Sequence, residues 1–313
     1  MAENARQKKP IRFAALPPSP GKPYRFCMRS VEGDDLSNLP CSENQTTQSI
    51  MQNNSSRRKF IKAAAIAGVS AGLSPQSLFA GDAKENQDTA SVNEQGLVFL
   101  FQGDSITDGN RGRNADPNHI MGHGYAFTIA SRVGADFPAA GYSFYNRGIS
   151  GNRIPDLQNR WQTDTLDIRP DVLSILIGIN DTAASVENKP GAQSIEDFET
   201  GYRKLLEDTK LMKPNVIFVL GLPFVYPVGR RKENWEQWKD GVLQRAEKVK
   251  KLAAAFNAVL VDYPAVFDKA ITKAPPEYWI WDGIHPTVPA HELMAREWIK
   301  QTTTRLKFLR RYN

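Results

Sequence analysis

Short apolar runs alternate with stretches whose apolar positions recur at helical spacing. Leu97-Val98-Phe99-Leu100-Phe101 is apolar throughout and ends just before Gly103. Asp171-Val172-Leu173-Ser174-Ile175-Leu176-Ile177 is almost as continuous, and Asn215 to Leu220 and Ala258 to Asp262 repeat the pattern. Ser143 to Asn146 reads as a shorter strand of the same set. A strand apolar on both faces belongs in a parallel sheet covered on two sides. Helical spacing fits Tyr125 to Val133, a short stretch from Ile154 to Trp161, and Phe198 to Met212, where Tyr202, Leu205, Leu206 and Thr209 share a face. Trp235 to Phe256 reads as a long basic helix and Val288 to Leu306 as a closing one. This alternation predicts an α/β fold: a three-layer α/β/α sandwich on a five-stranded parallel sheet, formed by one domain over residues 96–313.

The front of the chain has another character. Residues 1–80 hold 11 Lys/Arg against 5 Asp/Glu, so 29 of the 40 basic and 29 of the 34 acidic residues fall in 81–313. The net charge of +6 is thus a property of the leader, and the neutral body gives no electrostatic case for nucleic acid. Both cysteines, Cys27 and Cys41, lie in the leader. The body therefore has no disulfide, no cysteine-based zinc site and no catalytic cysteine.

Ser56-Arg57-Arg58-Lys59-Phe60-Ile61-Lys62 precedes an Ala/Gly-rich apolar run from Ala63 to Leu73, and Ser77-Leu78-Phe79-Ala80 offers a cleavage site. A basic region, a modest apolar stretch and a small residue at the cut describe a signal peptide over 51–80. Its paired arginines resemble the twin-arginine export signal of bacteria. The resemblance implies the twin-arginine machinery as partner and a periplasmic or secreted destination. The apolar run is too short and Gly/Ala-rich for a stable membrane span. Residues 1–50 are polar, Pro-rich and aperiodic, which predicts disorder. Met51 stands where an exported precursor would begin, so 1–50 also reads as an extension ahead of the true start. Residues 81–95 read as a linker.

Chemistry concentrates in four motifs. Gly103-Asp104-Ser105-Ile106-Thr107 follows the first strand, and Asn146-Arg147-Gly148-Ile149-Ser150-Gly151-Asn152 the second. Gly178-Ile179-Asn180-Asp181 follows the third, and Asp282-Gly283-Ile284-His285-Pro286 precedes the closing helix. Ligands of open α/β sheets bind at the carboxyl ends of the strands, so all four motifs can meet at one rim. Taken singly, each has a plainer reading. Ser105 suits a helix N-cap, Gly148 a turn, Asn180-Asp181 a cap, and Asp282 the end of Trp279-Ile280-Trp281.

In this order the motifs resemble the SGNH hydrolase superfamily, the GDSL-type esterases and lipases, over nearly the whole body. The resemblance implies a flavodoxin-like sandwich and a serine esterase working through an acyl-enzyme, with no cofactor and no metal. Ser105 would be the nucleophile, His285 the base and later the acid, and Asp282 the carboxylate orienting it. The oxyanion hole would comprise the Ser105 and Gly148 N–H groups and the Asn180 amide.

Around this set, Asp104 reads as a loop-organising acceptor, with Asp104, Asn152 and Trp281 as candidate substrate contacts. Asp181 reads as loop support. Trp279 and Trp281 suit either a sugar-facing wall or core. His119 and His123 read as solvated or structural, with substrate or metal contact the alternative; His291 reads as structural. Arg153 suits a surface ion pair or a polar substrate contact. The polar loop after Ser105, the aromatics before His285 and the export signal favour a carbohydrate ester, with acetyl as the acyl group. The alternatives are a lysophospholipase or thioesterase of the same class, and a non-catalytic glycan-binding module.

Overall fold

The computed structural model describes residues 94–114 and 116–312. The expectations for 1–50, the signal peptide at 51–80 and most of the 81–95 linker lie outside the described residues. In chain order the elements are β1 (Val98–Gly103), α1 (Ser105–Asp108), α2 (Tyr125–Asp136), β2 (Ser143–Asn146), α3 (Ile154–Trp161), β3 (Val172–Leu176), α4 (Ile179–Val186) and α5 (Ile195–Met212). They continue with β4 (Ile217–Gly221), α6 (Trp235–Ala255), β5 (Val259–Val261), α7 (Tyr263–Ile271), α8 (Pro276–Trp279) and α9 (Val288–Thr302). No helix among the described residues is long and apolar enough to cross a membrane.

The five strands form one parallel sheet in the order β2-β1-β3-β4-β5. The chain steps from β1 to the edge strand β2, returns to β3 on the other side of β1, then proceeds outward. The carboxyl ends of β1 and β3 therefore flank the point where strand order reverses, the usual crevice of such sheets.

Strand alternation divides the core between the two faces. Phe99 and Phe101 of β1 join Tyr125, Ile129 and Val133 of α2 and Trp298 of α9. Leu100, Leu173 and Ile175 join Leu205 and Leu206 of α5 and Val249 of α6. Ser174, the one hydroxyl in the apolar run of β3, accepts a hydrogen bond from Trp298 Nε1 at 3.0 Å, so the sheet meets α9 through a satisfied polar contact. Arg245 of α6 is almost fully buried, its guanidinium donating to Gly241 O at 3.1 Å and to Ser185 Oγ at 3.0 Å.

All five predicted strands and all the predicted helices are present, with ends displaced by a few residues. The closing helix stops at Thr302 rather than Leu306, and α5 begins at Ile195, where Ser194 Oγ caps the N–H of Asp197. Helices α1, α4, α7 and α8 add to the predicted set; α1 and α8 have four residues each, too few to show an apolar period.

Burial sets the cost of truncation on α5. Leu206 is fully buried, whereas Leu211 is 85% exposed. Leu206→Ala is expected to cost about 2–5 kcal/mol, and Leu211→Ala under about 0.5 kcal/mol. Urea melts should show a lower midpoint at constant slope for the first variant alone.

Candidate active site

Ser105 opens the one-turn helix α1, and Asp104 caps it by accepting the Ile106 N–H at 3.0 Å. Ser105 is thus the first helical residue and its predecessor the cap. The turn is fastened from the side by Asn146, the buried last residue of β2. Its amide donates to Thr107 O at 2.7 Å and Met121 O at 2.9 Å, and its Oδ1 accepts the Gly148 N–H at 2.9 Å. Thr107 Oγ1 lies 3.0 Å from the Tyr125 hydroxyl.

On the opposite side, Asp282-Gly283-Ile284-His285 forms a tight turn clamped by the Ile280–Pro286 bridge. Asp282 Oδ1 accepts the backbone N–H groups of Ile284 at 3.0 Å and His285 at 2.8 Å. Its Oδ2 stands 2.7 Å from His285 Nδ1, and His285 Nε2 stands 2.9 Å from Ser105 Oγ. Gly283 has φ +89°, and a Cβ there would lie 2.5 Å from Tyr226 O, so the turn requires glycine. The chain Asp282–His285–Ser105 is continuous, from an anchored carboxylate to a hydroxyl at the mouth of the crevice.

Electrostatics separate the carboxyls by role. Burial would raise Asp282, but the hydrogen bonds from His285 and from two backbone N–H groups outweigh it and bring the pKa to about 2. His285 is held above the ordinary histidine value, chiefly by its bond to Asp282, against partial burial. Asp104 is pushed up to about 7 by complete burial, partly offset by the Ile106 N–H and the nearby His285. Asp181 reaches about 6, again through burial, while its Oδ1 accepts the Ile154 N–H at 3.2 Å. Asp104 and Asp181 each keep one buried oxygen without a partner among the described residues.

Three expected roles need correction. Gly148 N–H points at Asn146 Oδ1, so it is unavailable to a substrate oxygen. A Cβ at Gly148 would lie 2.4 Å from Asp108 N, which makes its smallness a packing requirement. The N–H in this loop without a partner among the described residues belongs to Gly151, which has φ +83° and open space around it. Asp104 is 1% exposed, so it organises the nucleophile turn and does not touch substrate. Asn152 also acts as support: its Oδ1 accepts from Arg160 Nε at 2.8 Å, and its carbonyl accepts from Asn180 Nδ2 at 3.2 Å. That bond leaves the second amide hydrogen of Asn180 free.

Trp281 is 63% exposed and stacks beside His285 with ring centroids 6.4 Å apart. Trp279 is half-buried against the core. His291 is buried, and its Nδ1 accepts the Tyr125 N–H at 3.1 Å, so it is structural; burial lowers its pKa to about 4. His119 lies 3.7 Å from Asp116, and Arg153 lies 3.9 Å from Asp156 and donates to Gly191 O. No cluster of three or more His, Cys, Asp or Glu suited to a metal occurs among the described residues. Sequence reasoning assigned no role to Asn146, Asp108 or Gly151. The only available signal for them was membership of the motifs and the loop after Ser105.

Residues 101–293 match the family model described as GDSL-like lipase/acylhydrolase. The chain is 32% identical over 211 residues to an acetylxylan esterase from Geobacillus stearothermophilus, covering 66% of this chain and 94% of that one. A crystal structure of that esterase superposes with a TM-score of 0.57 at 30% identity, over 66% of this chain and 94% of the other. Structures of its catalytic mutants replace a serine in one case and an aspartate in another. A Parabacteroides merdae protein described as a GDSL-like lipase superposes with a TM-score of 0.64 at 38% identity, over 68% of this chain and 98% of that one.

The titration of His285 sets a pH limit. A general base must be neutral, so kcat/KM is expected to fall as pH drops through the raised His285 value, with its midpoint above the ordinary 6.5. Asp282 and Asp104 raise that value, while Arg231 lowers it. In Asp282→Asn the limb should move to lower pH and kcat should drop by about 10⁴. A pH–rate profile on a soluble ester checks both shifts; an unmoved limb would remove His285 as the titrating base.

Proposed function

The chain belongs to the GDSL-like lipase/acylhydrolase family and is a carboxylic ester hydrolase, and on that premise we propose that it removes acetyl groups from carbohydrate through an acyl-enzyme on Ser105. The observation that carries the chemistry is the relay of 2.9 Å and 2.7 Å contacts joining Ser105, His285 and Asp282. Ser105 Oγ attacks the ester carbonyl as His285 Nε2 takes its proton. Asp282 holds the other imidazole nitrogen protonated and stabilises the imidazolium. The tetrahedral oxyanion is met by the Ser105 N–H, the Gly151 N–H and the free hydrogen of Asn180 Nδ2. His285 then returns the proton to the departing alcohol. Water repeats the sequence on the acyl-enzyme, releasing acetate and restoring Ser105.

The carbohydrate assignment is supported by similarity to an acetylxylan esterase and by Trp281, an exposed indole one residue before Asp282. An aromatic face at the edge of a polar site suits the apolar face of a pyranose ring. Export completes the reading: polysaccharide esters lie outside the cell, and Arg57-Arg58 heads a leader suited to the twin-arginine route.

Hydrolysis of p-nitrophenyl esters is expected to be fastest for acetate, to fall with acyl length and to vanish in Ser105→Ala. Asn180→Ala should lower kcat by about 10²–10³. Acetate release from an acetylated xylo-oligosaccharide should show the same dependence on Ser105. A preference for long acyl chains would move the substrate to lipids. In the native host, Arg57→Lys with Arg58→Lys should retain the protein in the cytoplasm; unimpaired export would remove the twin-arginine assignment.

A further inference from the structure

On the β2 side of the nucleophile lies a group of charges that the triad does not use. Arg111 donates Nε–H to the Gly148 carbonyl at 2.9 Å. Its charged neighbours are Arg113 and Arg147, of like sign, and Asp108 and Asp164. Both carboxylates are already taken. Asp108 receives the Arg113 guanidinium through two bonds of 3.0 and 2.7 Å, and its Oδ2 also accepts from Ser150 N and Oγ. Asp164 is paired with Arg160 at 3.0 Å and Arg147 at 3.6 Å. Arg111 alone of these four guanidiniums has no ion pair, and its two terminal nitrogens donate to nothing among the described residues. Partial burial, with repulsion from Arg113, lowers its pKa to about 10. It remains fully charged at neutral pH, so this corner has a net positive charge and two free donors in a planar fork.

The fork is tied to the catalytic rim. Gly148, whose carbonyl holds Arg111, is three residues from Gly151, and the Ile149–Asn152 segment is a closed turn, with Asn152 N on Ile149 O at 3.1 Å. Asp108, against which Arg113 packs, ends the same one-turn helix that Ser105 begins. A planar, incompletely desolvated guanidinium with unfilled donors matches a carboxylate bidentately.

We propose that Arg111 binds a substrate carboxylate, so that the enzyme prefers acetylated glycans carrying a uronic acid next to the acylated sugar. This rests on the carbohydrate deacetylase reading above. Arg113, Arg147 and Arg160 are held by Asp108 and Asp164, which keeps those carboxylates from neutralising Arg111 and leaves its terminal nitrogens for the ligand. The neighbouring excess of positive charge attracts an anionic chain to this side of the crevice.

The test compares kcat/KM on two acetylated xylo-oligosaccharides that differ in one group: a glucuronic acid branch with its carboxylate free, and the same branch as the methyl ester. The unaltered enzyme is expected to favour the free carboxylate by roughly tenfold at low ionic strength, and added salt should reduce that ratio. In Arg111→Gln the ratio should collapse towards unity, and Arg111→Lys should keep part of it, since charge remains but the fork is lost. Both rates come from one preparation, so a loss of folded protein cancels; if Arg111→Gln does not fold, Arg111→Lys and the salt dependence decide. Equal rates with the unaltered enzyme, or a ratio unchanged in Arg111→Gln, overturn the proposal while leaving the deacetylase reading intact. Cleavage of p-nitrophenyl acetate but of neither oligosaccharide overturns the carbohydrate reading, and this proposal with it.

Discussion

The buried carboxamide of Asn146 joins three loops that the chain supplies separately. Its amide holds the carbonyls of Thr107, in the nucleophile turn, and of Met121, in the segment leading to α2. Its carbonyl oxygen holds the N–H of Gly148, after β2. In a low-dielectric interior such bonds strengthen one another, and an unpaired amide there is costly. The arrangement therefore has little freedom to drift, and Ser105 inherits its position from it. An apolar residue in that place would leave the nucleophile turn, the Gly148 loop and the approach to α2 without a common fastening. This is a buried polar network placed for geometry, at the carboxyl edge of a sheet whose core is predominantly apolar.

The surrounding carboxyls divide according to what reaches them. Asp282 receives two backbone N–H groups and an imidazole and stays ionised. Asp104 and Asp181 are more deeply buried, receive fewer donors, and hold their protons to higher pH. The ionised carboxylate is thus the one that orients His285, while the two protonatable ones brace the turns carrying Ser105 and Asn180. Asp104 also lies close enough to His285 for their charges to interact, so protonation of the cap and of the base are coupled. The arginines around Asp108 and Asp164 add a group of positive charges beside the Gly148 carbonyl and the end of α1.

Much of this was legible in the sequence, for identifiable reasons. The runs around Phe99 to Phe101 and, but for Ser174, Leu173 to Leu176 are apolar on both faces, and a two-sided parallel sheet buries both. The long helices α5 and α6 declared themselves through their periodic faces. The four motifs pointed to Ser105, Asn180, Asp282 and His285, each beside a strand end or the closing helix. The one-turn helices α1 and α8 escaped because four residues carry too few apolar positions to define a period.

The sequence by itself determined the layers of the fold and the kinds of residue at the rim, because hydrophobic period and motif order are local properties of the chain. It could not decide between the two glycines of the Asn146–Asn152 segment. Both lack a side chain, and which N–H is free depends on Asn146 Oδ1, a neighbour placed by the register of β2 on β1. Nor could it show that Asp104 is sealed from substrate or that Arg111 is left without a counter-ion. Those outcomes follow from which partners other elements bring within hydrogen-bond reach. Only the closed tertiary structure decides that, since the contacts that set these groups include ones between residues distant in the chain, such as Asn146 with Thr107 and Met121 and Arg111 with Gly148.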